Sequence, residues 1–217
     1  PLSVGPVKVV PYVLGEVGYW ANDINSNSVE RAYGQVGVRA NLPMWRVDHD
    51  IKSVLFNVNG LAHKVNWFAD FYWADSNQDM DVLPRYDALD DDATEHFRRR
   101  HFFDTFGGTA GDNVHAKWDE RYYALRRNMQ GWVTAPVTEI AADMSAIRLG
   151  VQQRWQTKRG LPGRERIVDW MELDTELTLF PNAERDNFGQ EVGLIDYDYR
   201  WHVGDRVTLM SDGFTDL

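Results

Sequence analysis

The chain has 217 residues, with 23 basic and 33 acidic side chains, a net charge of −10 and no cysteine. That balance excludes a nucleic-acid partner held through its phosphates, and the missing cysteines exclude a disulfide framework or a thiolate metal site in this stretch. An ordinary transmembrane helix is excluded too, because no apolar run reaches about 18 residues, but a membrane barrel is not, since alternating strands average out in hydropathy.

The chain opens at Pro1 without an initiator Met or a signal peptide, so it is expected to be an excerpt or a processed product. Residues 7–20, VKVVPYVLGEVGYW, predict a first strand with Val7, Val9, Val13, Val17 and Tyr19 on one face. Pro11 has no amide hydrogen to give a ladder, so this strand is expected at an edge or locally bulged. A polar loop, NDINSNSVE, follows. Over residues 31–42, Ala32, Val36, Val38, Ala40 and Leu42 oppose Arg31, Tyr33, Gln35, Arg39 and Asn41, and Pro43 with the charged segment behind it is expected to end the strand. Residues 54–74 alternate as one long strand whose faces swap near Gly60, where a bulge is expected.

Residues 75–119 read as a long irregular loop with an acidic cluster (Asp87, Asp90, Asp91, Asp92, Glu95), a basic triplet (Arg98, Arg99, Arg100) and the glycine-rich FGGTAGDN. Residues 94–103 are expected as a short helix capped by Asp92 or as a further strand. Residues 120–134 are expected as a strand of weaker alternation, closed by Pro136. With that strand counted, the long loop and the tight turn at Gly204 fall at the same end of the sheet. A membrane barrel puts long loops and short turns at opposite ends, so an extra strand within residues 95–105 is predicted.

Residues 142–215 show the strongest pattern, four alternating segments separated by turn chemistry. Ile147, Leu149 and Val151 oppose Arg148, Gln152, Arg154, Gln156 and Lys158. Next, Ile167, Met171, Leu173, Leu177 and Leu179 oppose Glu172, Asp174, Glu176 and Thr178. The third segment sets Ile195, Tyr197, Tyr199, Trp201 and Val203 against Asp196, Asp198, Arg200 and His202, and a turn at Gly204 leads to Val207 and Leu209 opposite Arg206, Thr208 and Met210. A soluble sandwich would meet its apolar face with a second sheet. A closed sheet with lipid outside and a wet lumen inside needs one apolar and one densely charged face. The fold class read from this pattern is all-β: an antiparallel up-and-down meander forming part of a transmembrane outer-membrane β-barrel, with residues 1–217 as one barrel segment. Aromatic content of 13%, with nine Trp and nine Tyr, fits interfacial belts, and it also fits a buried soluble β core.

The lumen-facing residues expected from this parity are Arg148, Gln152, Arg154, Glu172, Asp174, Glu176, Asp196, Asp198, Arg200 and His202. Lys158, Arg159, Arg164 and Arg166 form a cationic turn that is a candidate for lipid-phosphate contacts. Carboxylates at Glu172, Asp174 and Glu176 have a spacing conceivable for acid/base work, but a charged lumen wall accounts for them, and no catalytic residue is assigned. His96 and His101 near Asp92 and Glu95 match no dedicated metal spacing. Calcium at the acidic cluster is a lesser alternative to a solvated loop. No metal or cofactor is assigned.

Several stretches carry a family resemblance: GPVKVVPYVLGE with ERAYGQVGVRANLPMW, then LFNVNGLAHKV, IRLGVQQRWQTKRG and DYDYRWHVGDRVTL. Across most of its length the chain resembles the C-terminal barrel region of the lipopolysaccharide-assembly outer-membrane protein of Gram-negative bacteria, also called the organic solvent tolerance protein. The resemblance implies a large barrel that takes lipopolysaccharide from periplasmic bridge proteins and releases it into the outer leaflet, with a plug lipoprotein in its lumen. The family's periplasmic β-jellyroll domain is not in this stretch, nor are the cysteines that some members use to join it to the barrel. The resulting expectation is a non-enzymatic segment for lipopolysaccharide transport and insertion, in contact with membrane lipids and no nucleic acid. The alternatives are a passive porin and an outer-membrane lipid-modifying enzyme.

Overall fold

The computed structural model describes residues 1–22, 27–79, 82, 117, 120–127 and 142–217. They form one antiparallel sheet whose strands follow chain order: β1 (Leu2–Val4), β2 (Val7–Trp20), β3 (Val29–Ser53), β4 (Val58–Ser76), β5 (Met144–Arg159), β6 (Arg166–Leu179), β7 (Val192–His202) and β8 (Thr208–Thr215). Two short helices are described, α1 (Glu120–Arg126) and α2 (Ala183–Asp186). Every neighbouring strand pair is consecutive and antiparallel, so the all-β up-and-down architecture holds. The sheet is open: among the described residues no pairing joins β1 to β8.

The strands follow the alternation of the sequence, with instructive exceptions. Pro11 pairs with Val38 and lies past Val9, the last residue that β1 reaches, so it occupies an edge stretch as expected. Pro43 does not end its strand. It pairs with Asn66, and β3 runs on to Ser53. The last β2–β3 pair is Lys8–Asn41, so beyond it one side of β3 has no neighbour, and a residue without an N–H costs little there. Residues 54–57 are a turn, and β4 starts at Val58. The expected irregularity sits at Gly60, which takes φ +75°, but the extra residues are on β3, where pairing jumps from Asp48 to Lys52.

Residues 120–126 are helical, which corrects the strand expected over 120–134; residues 128–134 lie outside the described set. ERYYALR contains helix formers with no Gly or Pro, and Tyr123, Ala124, Leu125 and Arg126 are all buried. Four consecutive buried residues cannot come from a helix resting on a flat surface. Leu125 joins a cluster with Tyr33 of β3, Tyr72 and Ala74 of β4, Met144 and Ala146 of β5 and Phe180, while Tyr123 packs on Phe214 of β8 at 5.2 Å between ring centres. In a flat sheet β3 and β8 would lie about 24 Å apart, more than twice the roughly 10 Å length of such a helix. The sheet therefore curls around α1.

The described strands also order the connections by length. The connections at residues 5–6, 54–57, 160–165 and 203–207 share one end of the sheet, and those at 21–28, 77–143 and 180–191 share the other. Among the described strands, the short turns are at one end and the longer connections at the opposite end. The strand expected within 95–105, the helix or strand expected at 94–103, and most of the 75–119 loop fall outside the described residues.

Candidate functional site

Strand register decides which side chains share the inner face around α1. Pairing aligns Arg39 with Asp70, Asp70 with Arg148, Asn66 with Gln152, and Lys64 with Arg154. It continues as Gln152–Asp174, Arg154–Glu172, Asp174–Asp198, Glu176–Asp196 and Glu172–Arg200. His202 then faces Thr208, its Nδ1 lying 2.9 Å from Thr208 Oγ1. All ten residues expected to line a lumen thus lie on one face of the sheet.

At its long-loop end this face buries charged and polar side chains beside the apolar cluster of Tyr33, Tyr72 and Met144. Arg31, Gln35 and Asp70 are 1%, 2% and 1% exposed, whereas on the outward face Val13, Val17 and Trp67 are 77%, 87% and 50% exposed. A buried charge needs a partner, and the inner face supplies them in rows. Glu16 binds Arg31. Asp70 accepts from Arg39 Nε at 2.9 Å and Nη2 at 2.6 Å, and from the Tyr12 hydroxyl at 3.1 Å. Tyr12 in turn accepts from Gln35 Nε2 at 3.2 Å, and Gln35 Oε1 accepts from the Tyr33 hydroxyl at 2.6 Å. Farther along, Arg148 pairs with Glu176, Arg154 with Glu172 at 3.0 Å, and Arg200 with Asp198 at 3.2 Å.

Helix α1 completes the network at the long-loop end. Arg127 binds Asp196 at 3.0 Å. Arg126 donates to Asn187 Oδ1 at 2.8 Å, Gln190 Oε1 at 3.0 Å and Asp216 Oδ1 at 2.5 Å. Toward the middle of the face lies a cavity of about 460 Å³, bordered by Lys64, Asn66, Gln152, Arg154, Glu172, Asp174, Asp198 and Arg200. Its β4–β5 side carries Lys64 and Arg154, and its β6–β7 side carries Glu172, Asp174, Asp198 and Arg200, so a polar solute there meets charges of both signs.

Charge pairing separates residues that looked alike in the sequence. Glu172 and Glu176 are neutralised by arginines, whereas Asp174 lies opposite Asp198, which itself lies opposite Asp212. The cationic turn splits as well. Arg159 is buried and donates to Asn57 O, Gly204 O and His202 O, fastening the β5 end to two turns, while Lys158, Arg164 and Arg166 are exposed at the short-turn end.

The residues that sequence reasoning left out of the site are Tyr12, Glu16, Asp70, Arg126 and Arg127. Parity already put Arg31, Gln35 and Arg39 on a polar face, and Asp70 stands out of phase with Trp67, Phe71 and Trp73. Partnership across strands was the missing information. Among the described residues no group of three or more His, Asp or Glu is arranged to hold a metal ion, and no helix is long and apolar enough to cross a membrane. No family model matches the chain, and no curated protein sequence matches it.

Proposed function

We propose that this chain is a wall segment of an outer-membrane β-barrel, non-enzymatic, serving lipopolysaccharide transport and insertion. The observation that carries the membrane reading is the sheet's polarity: charged rows inside, and an outward face of Val, Leu, Trp and Phe uncharged from Val13 and Trp73 down to Arg46 and His63. His63 and Trp73 stand about ten residue steps apart on β4, roughly 33 Å along the strand. A tilt of about 40° reduces that to about 25 Å, the height of a barrel's apolar band. Short turns gathered at one end support the same reading.

Closure of the sheet, in this proposal, comes from strands of a longer protein. The partner assignments (lipopolysaccharide, a plug lipoprotein, periplasmic bridge proteins) rest on the family resemblance. The mechanism is physical: the charged rows hydrate and steer a lipid headgroup while acyl chains leave laterally through weakly paired strands. The membrane reading is tested by fractionating cells that make the full-length protein and comparing gel mobility with and without boiling. Recovery in the outer membrane with heat-modifiable migration is expected, and recovery in the soluble fraction overturns it. Depletion is expected to lower surface lipopolysaccharide, and an unchanged level overturns the transport assignment.

A passive porin is the second reading, favoured by one observation: the cavity of about 460 Å³ on the charged face. A steady ion-selective conductance in planar bilayers would select it, and its absence, together with the lipopolysaccharide defect, selects transport.

A further inference from the structure

On the outward face, where the apolar band ends nearest the short turns, a shallow groove of about 480 Å³ crosses β3 to β6. Its floor is apolar, with Met44, Val65, Trp67 and Val151, and Arg46 and His63 stand at its rim as a cross-strand pair. The His63 ring stacks on Trp155, with centroids 4.5 Å apart and planes 5° from parallel, and its Nε2 lies 3.2 Å from Gln153 Oε1. Those contacts fix the imidazole. Arg46 is exposed and has no ion pair or hydrogen bond to a described residue.

We propose that Arg46, at the rim of this groove, binds the phosphate of an anionic glycerophospholipid whose acyl chain lies in the groove. The inference rests on the membrane reading and adds a ligand to its outward face. A guanidinium forks onto phosphate oxygens, and a long cationic side chain at the edge of an apolar band holds its charge at the headgroup level. The next outward residues up β3, Met44 and Leu42, carry no charge, so the apolar chain continues where the phosphate stops. Short turns mark the periplasmic side of a barrel. The lipid therefore belongs to the periplasmic leaflet, which favours a phospholipid over lipopolysaccharide.

The test uses the full-length protein, purified in mild detergent and delipidated, titrated with dioleoyl phosphatidylglycerol and separately with dioleoyl phosphatidylcholine. Bound lipid is counted by native mass spectrometry. R46A is expected to weaken phosphatidylglycerol binding about tenfold, R46K to fall between R46A and wild type, and Arg206→Ala, at an exposed cation of the 203–207 turn at the same end, to bind as wild type. The site is overturned if R46A binds as wild type, if R206A loses as much as R46A, or if phosphatidylcholine binds equally well. Tighter binding of lipopolysaccharide to the same residues overturns the phospholipid assignment. Heat-modifiable migration of each variant, scored before lipid is added, keeps the two failures apart: a wild-type protein that does not form a barrel removes the membrane reading itself.

Discussion

Neighbouring carboxylates on the inner face do opposite work. Glu176 holds Arg148 with both groups mostly covered, at 22% and 17% side-chain exposure, so Glu176→Gln is expected to cost about 1–2 kcal/mol by leaving a guanidinium half-satisfied. Asp174 lies opposite Asp198, and like charges directly across a sheet repel. Asp174→Asn is therefore expected to change stability by no more than about 0.5 kcal/mol, in the stabilising direction. Urea unfolding of the full-length variants, followed by loss of the heat-modifiable band, measures both, and equal losses would refute the distinction. Asp70 is the stronger case, accepting three hydrogen bonds while almost wholly buried. Asp70→Ala removes one acceptor shared by Arg39 and Tyr12, with an expected loss of about 2 kcal/mol in the same assay, and Asp70→Asn should recover part of it by still accepting from Tyr12.

At the level of elements, α1 depends on side chains that its own sequence does not contain. Arg126 is 1% exposed and ties the helix to Asn187 and Gln190 of the β6–β7 connection and to Asp216 after β8. Arg126→Ala is expected to release the helix while leaving the sheet formed. Hydrogen exchange should then rise at the amides of 123–127 and stay slow in β4 and β5, and unchanged protection at 123–127 would refute the anchoring role. Gly193 bears on the same contact, since a Cβ there would meet Arg126 O at 2.8 Å and Phe180 at 2.8 Å. Strands were legible in the sequence because each residue reports its own face: the parity of Arg31, Gln35 and Arg39 against Val36 and Val38 holds in the structure without correction. The helix was not legible, because Tyr122 to Arg126 are ordered by enclosure within a curled sheet, a tertiary effect that outweighs local pattern. The ion pairs were equally hidden. Arg39 and Asp70 meet only once the register of β3 on β4 is known, and β4 meets β5 across a connection of residues 77–143 that no periodicity bridges.

For the molecule as a whole, the decisive quantity is which solvent the outward face sees. Leu149 sits near mid-height of the uncharged band, paired with Ala69 and 38% exposed. On a water-facing sheet, an exposed leucine changed to lysine shifts stability by no more than about 0.5 kcal/mol. In a bilayer the same lysine near the midplane costs about 2–4 kcal/mol. Gln152 is the internal control: it is exposed on the inner face of the same strand, opposite Asp174, where an added lysine gains a counter-charge. On the proposed membrane reading, Leu149→Lys is thus expected to deplete the heat-modifiable outer-membrane form severalfold, with Gln152→Lys accumulating as wild type. Equal accumulation of the two would place water on both faces and return the sheet to a soluble partner. The contrast is independent of the proposed transport role, because it probes only the medium around the sheet, and that role requires a wall that is wet on its charged side and dry on the other.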